Sequence, residues 1–173
     1  MKIFIIFIVL AFIFIGSILI YYKTPKVSVL MYHDVFYKNE LPKKALNDKG
    51  QIVDDCVVSA ENFKEQMRFL KKKGYHTLSL DEFYDFVING AKIPEKSVLI
   101  TFDDGRKSNF INAYPILKEN GFRAVIFLVT SKIPDKTSEF NPEKYQRMSF
   151  EEIEKSKELE WHPYERPSDP LVR

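Results

Sequence analysis

Thr101-Phe102-Asp103-Asp104-Gly105 is the segment best suited to chemistry. It closes an apolar run, Ser97-Val98-Leu99-Ile100, that reads as a buried strand. Adjacent carboxylates at the end of such a strand are costly to desolvate and repel each other. A pair of this kind is suited to holding a metal ion or moving a proton. Asp-Asp-Gly is also ordinary turn chemistry, so the pentapeptide by itself leaves an acidic turn open. His33 and Asp34 stand at the end of an earlier apolar run, Val27 to Tyr32. If both runs are parallel strands, both polar pairs face one rim, where ligands of parallel sheets bind. His33 then either braces that rim through its ring or contacts substrate. His76 begins a strand on the opposite rim and reads as a surface residue.

The elements that position these residues alternate. Ser59 caps a helix with Glu61 in its first turn and Phe63, Met67 and Leu70 at helical spacing; Gly74 ends it. His76 to Leu80 reads as a short strand. Asp81 to Ile88 reads as a helix with Phe83, Phe86 and Val87 turned inward. The strand Ser97 to Phe102 follows, then a helix near Asn109 to Glu119 that Pro115 should kink or delay. Arg123 to Val129 is a nearly all-apolar strand. Ser149-Phe150-Glu151-Glu152 is a capping box opening a last helix. Residues from Phe36 to about Val57 read as loop. Alternation of apolar strands with helices predicts an α/β fold on a parallel sheet, open or barrel-like.

Composition bounds the partners. The 173 residues carry a net charge of +2, which implies no nucleic-acid partner. With 45% apolar residues and 15 phenylalanines there is material for one core. The single cysteine, Cys56, excludes an intrachain disulfide and has no motif around it. Residues 3–22 are uncharged and apolar. At about 1.5 Å per residue they match a bilayer's hydrocarbon thickness, and Tyr21, Tyr22 and Lys23 mark an interface. The reading is a single-pass anchor or signal sequence over 1–23 in the cell membrane, an extracytoplasmic domain over 24–160, and an irregular Pro-rich tail over 161–173. Cleavage of a signal peptide would make the domain secreted.

The chain resembles the polysaccharide deacetylases of the NodB-homology type, carbohydrate esterase family 4. The resemblance rests on Val29-Leu30-Met31-Tyr32-His33-Asp34-Val35, Gly74-Tyr75, Leu78-Ser79-Leu80-Asp81-Glu82-Phe83, Ser97 to Gly105, Ala113-Tyr114-Pro115-Ile116-Leu117 and Ala124 to Val129. It implies a partial distorted (β/α) barrel of the NodB type. It also implies hydrolysis of N- or O-acetyl groups on peptidoglycan, chitin-like polymers or exopolysaccharide. By the same resemblance Asp103 is the catalytic base, Asp104 a metal ligand, and the ion zinc or another divalent metal. His162 falls in the place of the family's next ligand. The sequence departs from the family there: Pro163 stands for Ser or Thr, and Arg166 for the second histidine. A guanidinium has no lone pair to give and repels a cation. Two expectations follow: a truncated or frame-shifted deacetylase, or an inactive glycan-binding or regulatory relative without the metal. An unrelated anchored protein with an accidental acidic turn is the third reading.

Overall fold

The computed structural model describes residues 6–8, 10–16 and 26–156, and the backbone of 159–164. The strands are β1 (Ser28–Tyr32), β2 (Asp34–Phe36), β3 (Val57–Ser59), β4 (His76–Thr77), β5 (Ser97–Phe102), β6 (Ala124–Val129) and β7 (Leu159–Tyr164). The helices are α1 (Ala60–Lys72), α2 (Leu80–Asn89), α3 (Tyr114–Asn120) and α4 (Phe150–Lys155).

β5 is the hub, because all six of its residues are buried. Alternation then serves two cores at once. Val98, Ile100 and Phe102 enter the main cluster with Phe63, Met67 and Leu70 of α1 and Ile116 and Leu117 of α3. Leu99 turns to the other face, where it meets Leu78 and Val125. Tyr32 packs edge-on against Phe63 with ring centroids 5.0 Å apart, and Phe63 in turn meets Phe102 at 5.9 Å. Burying each such side chain is worth about 1.5–3 kcal/mol.

Every strand pair among the described residues is parallel. Ser28 lies opposite Val98 and Tyr32 opposite Phe102. β4 pairs with the start of β5 at Ser97 and Val98, and β6 pairs with its end at Thr101 and Phe102. β7 adds beyond β6. A second small parallel sheet joins β2 to β3, Asp34 opposite Val57.

Caps explain where the helices begin. The Ser59 hydroxyl accepts from the Asn62 amide at 3.2 Å. Ser79 with Glu82, and Ser149 with Glu152, close full capping boxes. Pro115 delays the regular helix: α3 starts only at Tyr114, after a π-helical turn over Asn109–Ala113 that accommodates a residue without an amide.

Four expectations change. The stretch from Phe36 to Val57 carries β2 and β3 at its ends. In α2, Phe83 and Phe86 are half-buried, but Val87 is 56% exposed. The strand expected over His76 to Leu80 is only His76–Thr77, because Ser79 caps α2. Residues 161–164, expected in an irregular tail, lie in β7, whose ladder to β6 carries Pro163 opposite Leu128. The expected membrane segment, 3–22, falls partly outside the described residues. Residues 6–8 and 10–16 are helical. Among the described residues no helix is long and apolar enough to cross a membrane.

Candidate active site

The register of the sheet assembles the site. The Asp103 amide donates to the Tyr32 carbonyl at 2.9 Å, locking the end of β5 to the end of β1. His33 and Asp103 each follow the paired residues Tyr32 and Phe102. Phe102 lies opposite Ile126, and the next residue, Phe127, lies opposite His162. His33, Asp103, Phe127 and His162 therefore occupy one level across four strands. At about 4.8 Å per strand, His162 stands some 10 Å from Asp103 along that row.

His33 Nε2 is 3.9 Å from Asp103 Oδ2, and both side chains are partly open to solvent. Burial raises the Asp103 pKa above its ordinary 3.8; His33 opposes the rise and Asp104 adds to it. This carboxylate can take up a proton under milder conditions than a solvated one.

The next two residues turn the chain sharply. Asp104 has φ +71° and Gly105 φ +61°, left-handed geometry that Asp tolerates and Gly favours. An antiparallel bridge between Arg106 and Arg147 fastens the turn, with the Met148 amide donating to the Gly105 carbonyl at 2.9 Å.

Asp104 is thereby surrounded by donors. Arg106 Nη2 is 3.0 Å from its Oδ2, and Tyr145 Oη donates to the same oxygen at 3.2 Å. Arg147 Nη1 is 3.8 Å from Oδ1 and donates to the Asp104 carbonyl. The Arg106 guanidinium lies 3.3 Å from the centre of the Tyr145 ring, a cation–π stack that fixes its plane.

On the far side of Arg106, Nε is 3.6 Å from Asp34 Oδ2, and Ser108 Oγ donates to Asp34 Oδ1 at 2.8 Å. Burial raises the Asp34 pKa, with the Ser108 hydrogen bond and Arg106 opposing it. The structure thus brings His33, Asp34, Asp103 and Asp104 into one neighbourhood. Arg106, Ser108, Tyr145 and Arg147 join them unforeseen. Arg106 lies two residues beyond Asp104, so its nearness to the acidic pair is legible in the sequence. Tyr145 and Arg147 arrive from a distant loop, with no local signal.

Residues 90–163 match the family model for polysaccharide deacetylase. A Bacillus subtilis protein named as a polysaccharide deacetylase, YxkH, is 36% identical over 116 residues, 66% of this chain and 36% of that protein. Residues 90–163 fall within the polysaccharide deacetylase family. The poly-beta-1,6-N-acetyl-D-glucosamine N-deacetylase of Staphylococcus epidermidis is 33% identical over 113 residues, 65% of this chain and 39% of the relative. The chain thus spans less than two fifths of the length of these relatives. Among solved structures, the Streptococcus pyogenes deacetylase PplD in complex with acetate superposes with a TM-score of 0.65. It is 22% identical, and the match covers 82% of this chain and 57% of that one. A polysaccharide deacetylase from Bacillus cereus gives a TM-score of 0.57 at 26% identity, covering 80% and 39%. These superpositions establish the α/β fold of the deacetylases.

The zinc implied by the family has a poor fit to the described residues of this deacetylase relative. A divalent ion at Asp104 would compete with two guanidinium groups and a phenol for the same carboxylate. Among the described residues no group of three His, Cys, Asp or Glu is placed to hold a metal ion. The His162 side chain and Arg166 lie outside them. We expect the full chain, equilibrated with zinc and desalted, to retain well under one equivalent by elemental analysis. Stoichiometric zinc that disappears in Asp104→Ala would show the guanidinium clamp to be displaceable.

Proposed function

We propose that this chain recognises acetylated polysaccharide at the carboxyl ends of β1 and β5, and that its hydrolytic power is low. The observation that carries this reading is the division of labour between the two acids. Asp103 has its carboxylate beside His33, whereas Asp104 is committed to Arg106, Arg147 and Tyr145. In this reading Asp103 takes a proton from a water molecule directed at an acetyl carbonyl. His33, at the same rim, passes a proton toward the departing amine or hydroxyl. No described group supplies the strong electrophile that acetyl transfer needs.

The intact Asp103–His33 pair supports a second reading, a working deacetylase. The relatives named for poly-beta-1,6-N-acetyl-D-glucosamine favour that exopolysaccharide over peptidoglycan or chitin-like polymers. The strands here would form one arc of a distorted barrel. The apolar segment 3–22 would tether the domain to the outer face of the cell membrane.

The test is binding and acetate release measured together, with the full chain in detergent and fully acetylated β-1,6-glucosamine oligomers. Binding with trace acetate release is the expected result. Any release should fall about 10²–10⁴-fold in Asp103→Asn, the usual loss of a general base. Its acid limb should lie above 3.8, because burial raises that pKa. Robust release that vanishes with Asp103→Asn would establish the second reading. Failure to bind the oligomers, or release indifferent to Asp103→Asn, would overturn the proposal.

A further inference from the structure

A cavity of about 160 Å³ is lined by Arg106, Asp34 and Tyr145, and Asp104 is not among its lining residues. The small β2–β3 sheet forms one wall and the 140–146 loop the other, joined by the stacked rings of Phe36 and Phe140 at 6.2 Å. Arg106 lines it and is only 6% exposed. Its buried Nη1 has no hydrogen-bond partner among the described residues, and Nε, also without one, is taken up by the 3.6 Å ion pair with Asp34. Unpaired N–H groups on a buried guanidinium are costly, and native proteins rarely leave them so.

The remaining charges around the cavity decide what chemistry would satisfy it. Two acids face it. Asp34 is engaged by Ser108 and Arg106, and Asp54 accepts from the Cys56 amide at 2.9 Å. Lys44 and Lys144 stand exposed at the mouth, and neither has an ion-pair partner among the described residues. Lys44 Nζ approaches the Tyr145 ring at 5.5 Å. Both acids are thus engaged, whereas Arg106 Nη1 has no partner among the described residues and Lys44 and Lys144 have no ion pair there.

We propose that this cavity is a subsite for an oxyanion, a phosphate or carboxylate substituent carried on the glycan. The planar N–H edge of a guanidinium suits a tetrahedral or planar oxyanion, and the lysines at the mouth draw it in. The subsite rests on the glycan-recognition reading for its source of ligand, but not for its chemistry.

The experiment titrates the full chain in detergent with N-acetylglucosamine 6-phosphate, N-acetylglucosamine and inorganic phosphate, following binding calorimetrically. The sugar phosphate should bind about tenfold more tightly than the neutral sugar, a factor typical of added charge-assisted hydrogen bonds. The double variant Lys44→Gln/Lys144→Gln, on the surface and outside the acid cluster, should erase that preference. Equal affinity for the two sugars, or a preference that survives the double variant, overturns the subsite. Inorganic phosphate binding as tightly as the sugar phosphate overturns the glycan source, because the ion itself would then be the ligand. Acetylated oligomers titrated into the same samples keep the two proposals apart: oligomer binding without a phosphate preference refutes the subsite alone.

Discussion

Replacing Lys107 with methionine should cost about 3–5 kcal/mol of stability, the usual penalty for stranding one member of a buried ion pair. Lys107 and Glu152 side chains are 2% and 5% exposed and contact each other directly. Lys107 follows the acid turn, and Glu152 sits in α4. Their contact ties the loop carrying Asp103 and Asp104 to the last described helix. Glu152 also accepts from the Ser149 amide at 2.9 Å, closing the box that starts α4. A domain of this size has about 5–15 kcal/mol in total, so the loss takes a large share of its stability. The double variant Lys107→Met/Glu152→Gln removes both charges and leaves an acceptor for the cap. It should recover more than half of the loss, because a neutral pair carries no uncompensated charge. Denaturant unfolding of the full chain, followed by circular dichroism, measures both. A single-variant loss under about 1 kcal/mol would mean that water reaches the pair after all.

Gly105→Ala should cost about 2–4 kcal/mol, from two independent sources. The residue has φ +61°, a conformation unfavourable to any side chain. An added Cβ would also stand 2.5 Å from Leu128 Cδ2. Leu128 is itself only 2% exposed, so its methyl group has nowhere to retreat. A mutant cycle with Leu128→Ala separates the two sources. The shortened side chain removes the clash and leaves the backbone strain, so the pair should couple by at least about 1 kcal/mol. Purely additive losses would sink the steric half of the account. Asp104 and Arg106 flank this glycine, so the variant should also disturb the guanidinium clamp.

The parts of the fold legible in the sequence were those whose signals are local. β5 was readable because an apolar run ended in a polar turn, and α1 and α4 because Ser59 and Ser149 announce their caps. The box at Ser79 is an equally local signal, and it is what limits β4 to two residues and starts α2 at Leu80. β2 and β3 have three residues each and pair only with one another, so no periodicity could reveal them. β7 was hidden by Pro163 and by the polar residues beside it, and only its ladder to β6 makes it a strand. Within the site, the proximity of His33 to Asp103 followed from reading two parallel strands ending on one rim. The clamp on Asp104 did not, because Tyr145 and Arg147 are some forty residues away along the chain.

β1, β4 and β6 all pair with β5. The first strand therefore leaves the ribosome long before the one it must bind. Until residue 102 emerges, Ser28 to Tyr32 has no ladder to join. Val29 and Met31, exposed even after folding, are then available to any neighbouring nascent chain. Long-range parallel pairing of this kind is slow and prone to misassociation. Slower elongation between β1 and β5 should therefore lengthen the interval in which this chain can misassociate.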